Sequence, residues 1–460
     1  LAGFFSLEIQ TYPDASLGDF EAQAREIIAN FSADDIDDED LATFKGDTEA
    51  GLINGLASVR GKASRLALYD YLLDDPNFLE KELVALRGLT KADILRVFND
   101  YIANKPAVVV SVMTSDNPDA SARADDFEAV QAIRVADSSL DDLEPRPVVD
   151  DFDRSQRPVA GQAPLVEVPP FWRTTLANGT QIIGSQNTEI PTVYMQLRFQ
   201  GGQLAESPAQ YGLATLTAAM LEEGTQSLSA EAFERELQKL GASINVNAGS
   251  DSMLVTVNAL SRNLSATLAL LEQRLVQPAL TQENFDRLRR QQIEALQASQ
   301  QRPSSIASEV FDKLLYGAEH SFAVPMNGRI ETLQALELAD VEAFASTAFA
   351  TEALQLVIVG DVAQADILPS LSFLDVLPKV APESREQPML PSINANTLYL
   401  VDKPGVAQSE IRIGYITDMP YDATGEYFQT SLMNYVLGGA FSSRINLNLL
   451  AKASATGSGN

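Results

Sequence analysis

The 460-residue chain contains no cysteine, one histidine (His320) and one tryptophan. Without cysteine there are no disulfides, thiolate metal sites or cysteine nucleophiles, and the redox compartment is left open. A catalytic zinc takes three protein ligands drawn from His, Asp, Glu or Cys, so a single imidazole leaves little to build one from. Ser-His-Asp chemistry likewise has one candidate base. No G-x-S-x-G motif occurs, and the glycine-rich "GGAFSS" (438–443) lacks the lysine and spacing of a phosphate loop. No carboxylate pair stands out for glycosidase-like chemistry. Nor does any apolar run approach the ~18 residues of a membrane span.

Positive charge is scarce too. Lys and Arg total 33 against 63 Asp and Glu, a formal charge of −30. Nothing offsets phosphate repulsion, which excludes nucleic acid and an anionic membrane surface as partners. The acidity serves solubility.

What is present is globular: 45% hydrophobic residues, enough chain for two to four domains. The opening "LAGFFSLEIQTYP" alternates Phe5, Leu7 and Ile9 with polar residues and predicts a half-buried strand. With no initiator methionine and no signal peptide, it reads as the middle of a longer sheet protein. Ser16 then caps a helix whose apolar face runs Leu17, Phe20, Ala24, Ile27, Ile28 and Phe31. The acidic run "DDIDDED" (34–40) lacks the glycine and distal glutamate of a calcium loop, and it reads as carboxylates complementing a helix N-terminus.

Two distant segments repeat each other. "LRGLTKADILRVFNDYIANKPAVVVSVM" (86–113) matches "LQALELADVEAFASTAFATEALQLVIVGDV" (333–362). Each has a helix with an Ala-Asp pair (Ala92-Asp93, Ala339-Asp340), a loop and a β-branched strand, and the preceding helices correspond as well. The expected fold class is therefore α+β, with duplicated domains each made of a mostly antiparallel sheet covered by helices. Residues 114–155 hold twelve acidic and four basic residues, a composition unable to bury a core, so 116–165 reads as an acidic linker. A hairpin at Asn178-Gly179 opens the next unit, followed by the strand "TVYMQLRFQGG".

The stretch "YGLATLTAAMLEEGT" (211–225) reads as one helix, and an unusually blank one: between Gly212 and Gly224 only Glu222 and Glu223 carry charge. The order of hairpin, Gly-Gly strand, blank helix and "LQKLGASINVNAGSDSMLVTVNAL" resembles the insulinase/pitrilysin family of zinc metallopeptidases, the inverted zincins. "YGAEHSFAVPMNGRIETLQAL" (316–336), "LQLVIVGDV" (354–362) and "NYVLGGAFSSRINLNL" (434–449) extend the resemblance over nearly the whole chain outside the linker.

The resemblance implies that this helix, in active members, carries H-x-x-E-H. Two histidines four apart hold zinc, the glutamate acts as base on zinc-bound water, and a later glutamate completes the ligand set. Aligned on Gly212, Gly224 and Thr225, this sequence has Thr215 and Ala219 in the histidine positions and Ala218 in that of the base. Glu294 falls near the third ligand and reads as vestigial, an ordinary helix-surface glutamate. His320 reads as a loop residue bonding locally. No catalytic residue and no metal are therefore expected in this chain; zinc belongs to a catalytic domain upstream of Leu1. The resemblance further implies four similar domains enclosing a chamber. Residues 1–115 correspond to the C-terminal half of one peptidase-like domain, 166–375 to a complete inactive one, and 391–460 to the N-terminal half of another, expected to pair with 1–115. Arg444 in "SSRINL" is the candidate substrate-binding residue, or else a helix-end cation complementing the dipole. The tail 451–460 reads as flexible or foreign. The expected function is the non-catalytic, substrate-enclosing part of a zinc endopeptidase acting on peptides or unfolded polypeptide, completed by the missing catalytic half. The alternative is an inactive scaffold or partner subunit of an active protein. A periplasmic or exported bacterial location is implied by family analogy alone.

Overall fold

The computed structural model describes residues 4–11, 16–113, 121–124, 156, 159, 161–162, 167–381, 385–392, 395–406, 408–417 and 419–449. The tail 451–460 and most of the acidic linker lie outside these residues.

Five helices come first: α1 (Leu17–Asn30), α2 (Asp38–Asn54), α3 (Val59–Leu73), α4 (Leu79–Gly88) and α5 (Lys91–Tyr101). Their starts are written in the sequence. The Ser16 hydroxyl accepts from Asp19 N at the head of α1, and Asp37 accepts from Glu39 N at the head of α2, where the acidic run meets the positive end of the helix dipole.

The sheet domain follows, with β1 (Trp172–Thr175), β2 (Gln181–Gln186), β3 (Thr192–Gln200), α6 (Leu213–Leu221), α7 (Ala230–Leu240), β4 (Ser243–Ala248), β5 (Ser252–Leu260), α8 (Leu264–Val276), α9 (Gln282–Ser299), α10 (Pro303–Tyr316), α11 (Ile330–Ala335), α12 (Leu338–Ala348), β6 (Gln355–Gly360) and α13 (Gln364–Ser370). A further helix, α14 (Glu426–Asn434), continues into one π turn at Tyr435–Gly439.

The fold is α+β, with a mixed, mostly antiparallel six-stranded sheet in the order β1-β2-β6-β3-β5-β4. β2 and β6 are its one parallel pair. The β1–β2 hairpin turns at Asn178-Gly179, where Gly179 takes φ +92° at no steric cost. Alternation along each strand sends Val193, Met195, Leu197 and Phe199 of β3 and Met253, Val255 and Val257 of β5 into one core. Helices α6, α8 and α12 add Leu216, Met220, Leu271 and Val341 to it.

The repeat survives at the level of single hydrogen bonds. Asp93 accepts from Thr90 N at 3.0 Å to cap α5, and Asp340 accepts from Glu337 N at 2.8 Å to cap α12. After the two helices the copies part. Residues 355–360 form β6 between two neighbours, whereas 107–112 form no strand and leave Val108 92% exposed. Residues 4–10 also form no strand, contrary to their alternation, and Phe5 instead lines an apolar groove of about 530 Å³ between α1 and α5. Among the described residues neither 1–115 nor 391–460 contributes a strand. A strand needs a hydrogen-bonding neighbour as well as a pattern.

The helical segment meets the sheet domain where α2 crosses α7. Gly46 permits the approach: a Cβ there would lie 2.3 Å from the Gln238 carbonyl oxygen. Buried Glu49 clasps the crossing, accepting from Arg262 Nη2 at 2.8 Å and Arg87 Nη2 at 2.7 Å. Their cationic hydrogen bonds, Arg262 first, pull its carboxyl down to about 2.

Candidate functional site

The blank stretch is helical, but only over Leu213–Leu221; Glu222 caps the end and Gly224 (φ +108°) has already left it. Thr215, Ala218 and Ala219 therefore sit at positions one, four and five of a shared helical face. α6 packs against β4, α9 and α12. Thr215 and Ala219 are half-buried, and Ala218 is buried.

Gly212, at the head of α6, offers no side chain to cap the orphan N–H groups. Glu206 supplies the cap from six residues upstream, accepting from Gly212 N at 3.1 Å and Ala214 N at 2.6 Å. The carboxyl is 1% exposed, and burial pushes it up to about 8 against the pull of the two N–H donors. Sequence reasoning passed over Glu206. The available signal was an apolar helix with a glycine N-cap, which requires an acceptor from elsewhere.

The segment after α10 closes over the head of α6. Thr215 Oγ1 donates to the Met326 carbonyl at 2.8 Å, and Gln292 Nε2 donates to the Asn327 carbonyl at 2.9 Å and to that of Gly212 at 3.1 Å. His320 packs between Tyr316 and Phe322, its Nδ1 accepting from Phe322 N at 3.1 Å, and burial lowers its pKa.

Such a site does not fit zinc. The Thr215 hydroxyl is committed to a carbonyl, and Ala218 and Ala219 have no donor atoms. Glu294 lies exposed on α9. Among the described residues no three His, Asp or Glu side chains converge as a ligand set. The structure brings the three α6 positions together on one helix with α9 beside it; Arg444 stands elsewhere, exposed in the first turn of helix 444–449. That position faces the positive end of the dipole, which rules out the helix-end cation reading. Among the described residues no helix is long and apolar enough to cross a membrane.

The profile of the insulinase family (peptidase family M16) matches residues 182–321, and that of the peptidase M16 inactive domain matches 335–459. The non-peptidase homolog YmxG of Helicobacter pylori is 26% identical over 57% of this chain and 60% of its own length. The mitochondrial-processing peptidase subunit beta of Blastocladiella emersonii is 22% identical over 44% of this chain and 43% of its own. This chain thus spans less than two thirds of either relative. Among solved structures, the peptidase M16 inactive domain from Pseudomonas fluorescens superposes with a TM-score of 0.45 at 25% identity, over 48% of this chain and 54% of that one. With these two family profiles together matching more than half of its residues, the chain belongs to the insulinase family, peptidase family M16.

Proposed function

We propose that this chain is a non-catalytic, substrate-enclosing part of a zinc-dependent endopeptidase that acts on peptides or unfolded proteins, the catalytic domain lying outside the present sequence. The observation that carries the reading is α6, whose Thr215, Ala218 and Ala219 offer no imidazole or carboxylate on that face; in this reading they occupy the positions of an H-x-x-E-H motif. The role left to the chain is to hold extended polypeptide, by strand addition at a sheet edge, with Arg444 as a further contact. In this scheme 166–375 is the complete inactive domain and 116–165 a linker. Residues 1–115 and 391–460 are half-domains, and their uncovered apolar residues call for complementary halves. The purified chain incubated with unfolded casein and added zinc is expected to show no cleavage. Chelator-sensitive proteolysis would overturn the reading.

A second reading, an inactive scaffold or partner subunit, draws support from the relative named as a non-peptidase homolog and the other named as one subunit of a processing peptidase. A scaffold brings an active relative along on affinity purification and co-elutes with it in size exclusion. A chamber part awaiting its own catalytic domain elutes alone.

A further inference from the structure

Strand addition needs an edge whose outward N–H and C=O groups are free. β4 is one terminal strand of the sheet and lies beside α6. In its antiparallel ladder with β5, alternate residues turn their backbone groups away from the partner strand. Ile244 and Val246 do so, since side chains from outside the sheet meet them there. Glu222 Oε1 accepts from Val246 N at 2.8 Å, and Arg274 Nη1 donates to the Ile244 carbonyl. The edge that an incoming chain would read is already read by two charged side chains of the protein itself.

The two are held very differently. Arg274 is 3% exposed and stacked over the Phe233 ring at 4.2 Å, a fixture of the core. Glu222 is exposed and projects from the C-cap of α6; among the described residues its side chain accepts one hydrogen bond, from Val246 N, and its charge also acts on the Arg274 guanidinium. Glu222 can therefore swing out into water, whereas Arg274 cannot.

We infer that Glu222 is a plug on the β4 edge, competing with an extended polypeptide for the Val246 N–H. The inference rests on the proposed polypeptide-holding role and says which edge is guarded. Glu222→Ala opens the edge at Val246. Glu222→Gln keeps it closed, because the amide oxygen accepts the same bond. The end of the degenerate helix thereby sets access to the neighbouring strand.

The test uses the full chain and fluorescein-labelled lysozyme, reduced and carboxyamidomethylated so that it stays unfolded and basic. Fluorescence anisotropy is expected to give Glu222→Ala at least tenfold tighter binding than the wild type, about 1.4 kcal/mol, with Glu222→Gln near the wild type. Hydrogen exchange of the Glu222→Ala complex is expected to show new protection at 244–248. Equal affinity of wild type and Glu222→Ala, or protection elsewhere in the sheet, overturns the plug and leaves polypeptide holding intact. No binding by any of the three proteins overturns both.

Discussion

Glu206 has two donors and one charge to reconcile. Both oxygens accept a helix N–H, so the side chain cannot be replaced by its amide without turning an NH₂ toward a donor. Glu206→Gln should cost about 1–3 kcal/mol in urea unfolding. Because its folded pKa, about 8, lies above the ordinary carboxyl value of 4.5, its stabilising share is full below about pH 4.5 and fades as pH rises through 8. Glu49 runs the other way: its folded pKa of about 2 lies below 4.5, so its share is present above 4.5 and is lost as pH falls toward 2. Glu49→Gln should cost about 2 kcal/mol at pH 7, allowing for the half-exposed guanidiniums, and almost nothing near pH 2. Thermal melts of the two variants across pH 2–9 separate these opposite slopes. At this scale the sequence shows short-range partners well. Asp93 and Asp340 stand three residues from the groups they cap, whereas Glu49 and Arg262 are brought together only by the crossing of α2 over α7.

Among elements, the sheet domain was legible because alternation, Asn-Gly and Gly-Gly agree with one another from β1 to β6. The alternation at 4–10 and the β-branched run at 107–112 produced no strand. Pattern specifies which face a strand would bury, but a ladder requires a neighbour, and sequence alone does not show whether one is in reach. Helix boundaries were less legible: α6 stops at Leu221, short of Gly224, whose φ of +108° lies outside the helical region. Two element-level predictions follow from packing. Gly46→Leu should push α2 off α7 at a cost of about 1–3 kcal/mol, seen as faster hydrogen exchange in α2 with β3 and β5 unchanged. Asp93→Ala and Asp340→Ala should each cost about 1 kcal/mol, since the repeated cap does the same work in both copies; denaturant midpoints check the equality.

For the molecule as a whole, a charge of −30 sets the long-range field. Raising salt from 10 mM to 0.5 M shortens the screening length from about 30 Å to under 10 Å, which relieves self-repulsion while weakening exposed ion pairs worth little individually. The expected net result is a melting temperature several degrees higher, and a fall would show that clasps such as Glu49–Arg262 dominate. Sequence order and sheet order also disagree, most widely at β6. β2 and β3 are consecutive in the chain but are separated in the sheet by β6, which comes roughly 150 residues after β3 ends. A ribosome adding ~5–20 residues per second takes roughly 8–30 s over that interval. Until β6 emerges, the nascent β1–β2 hairpin and the three-stranded β3–β5–β4 unit have no strand to join them, and a chaperone that shields unpaired strands has its longest task in that window.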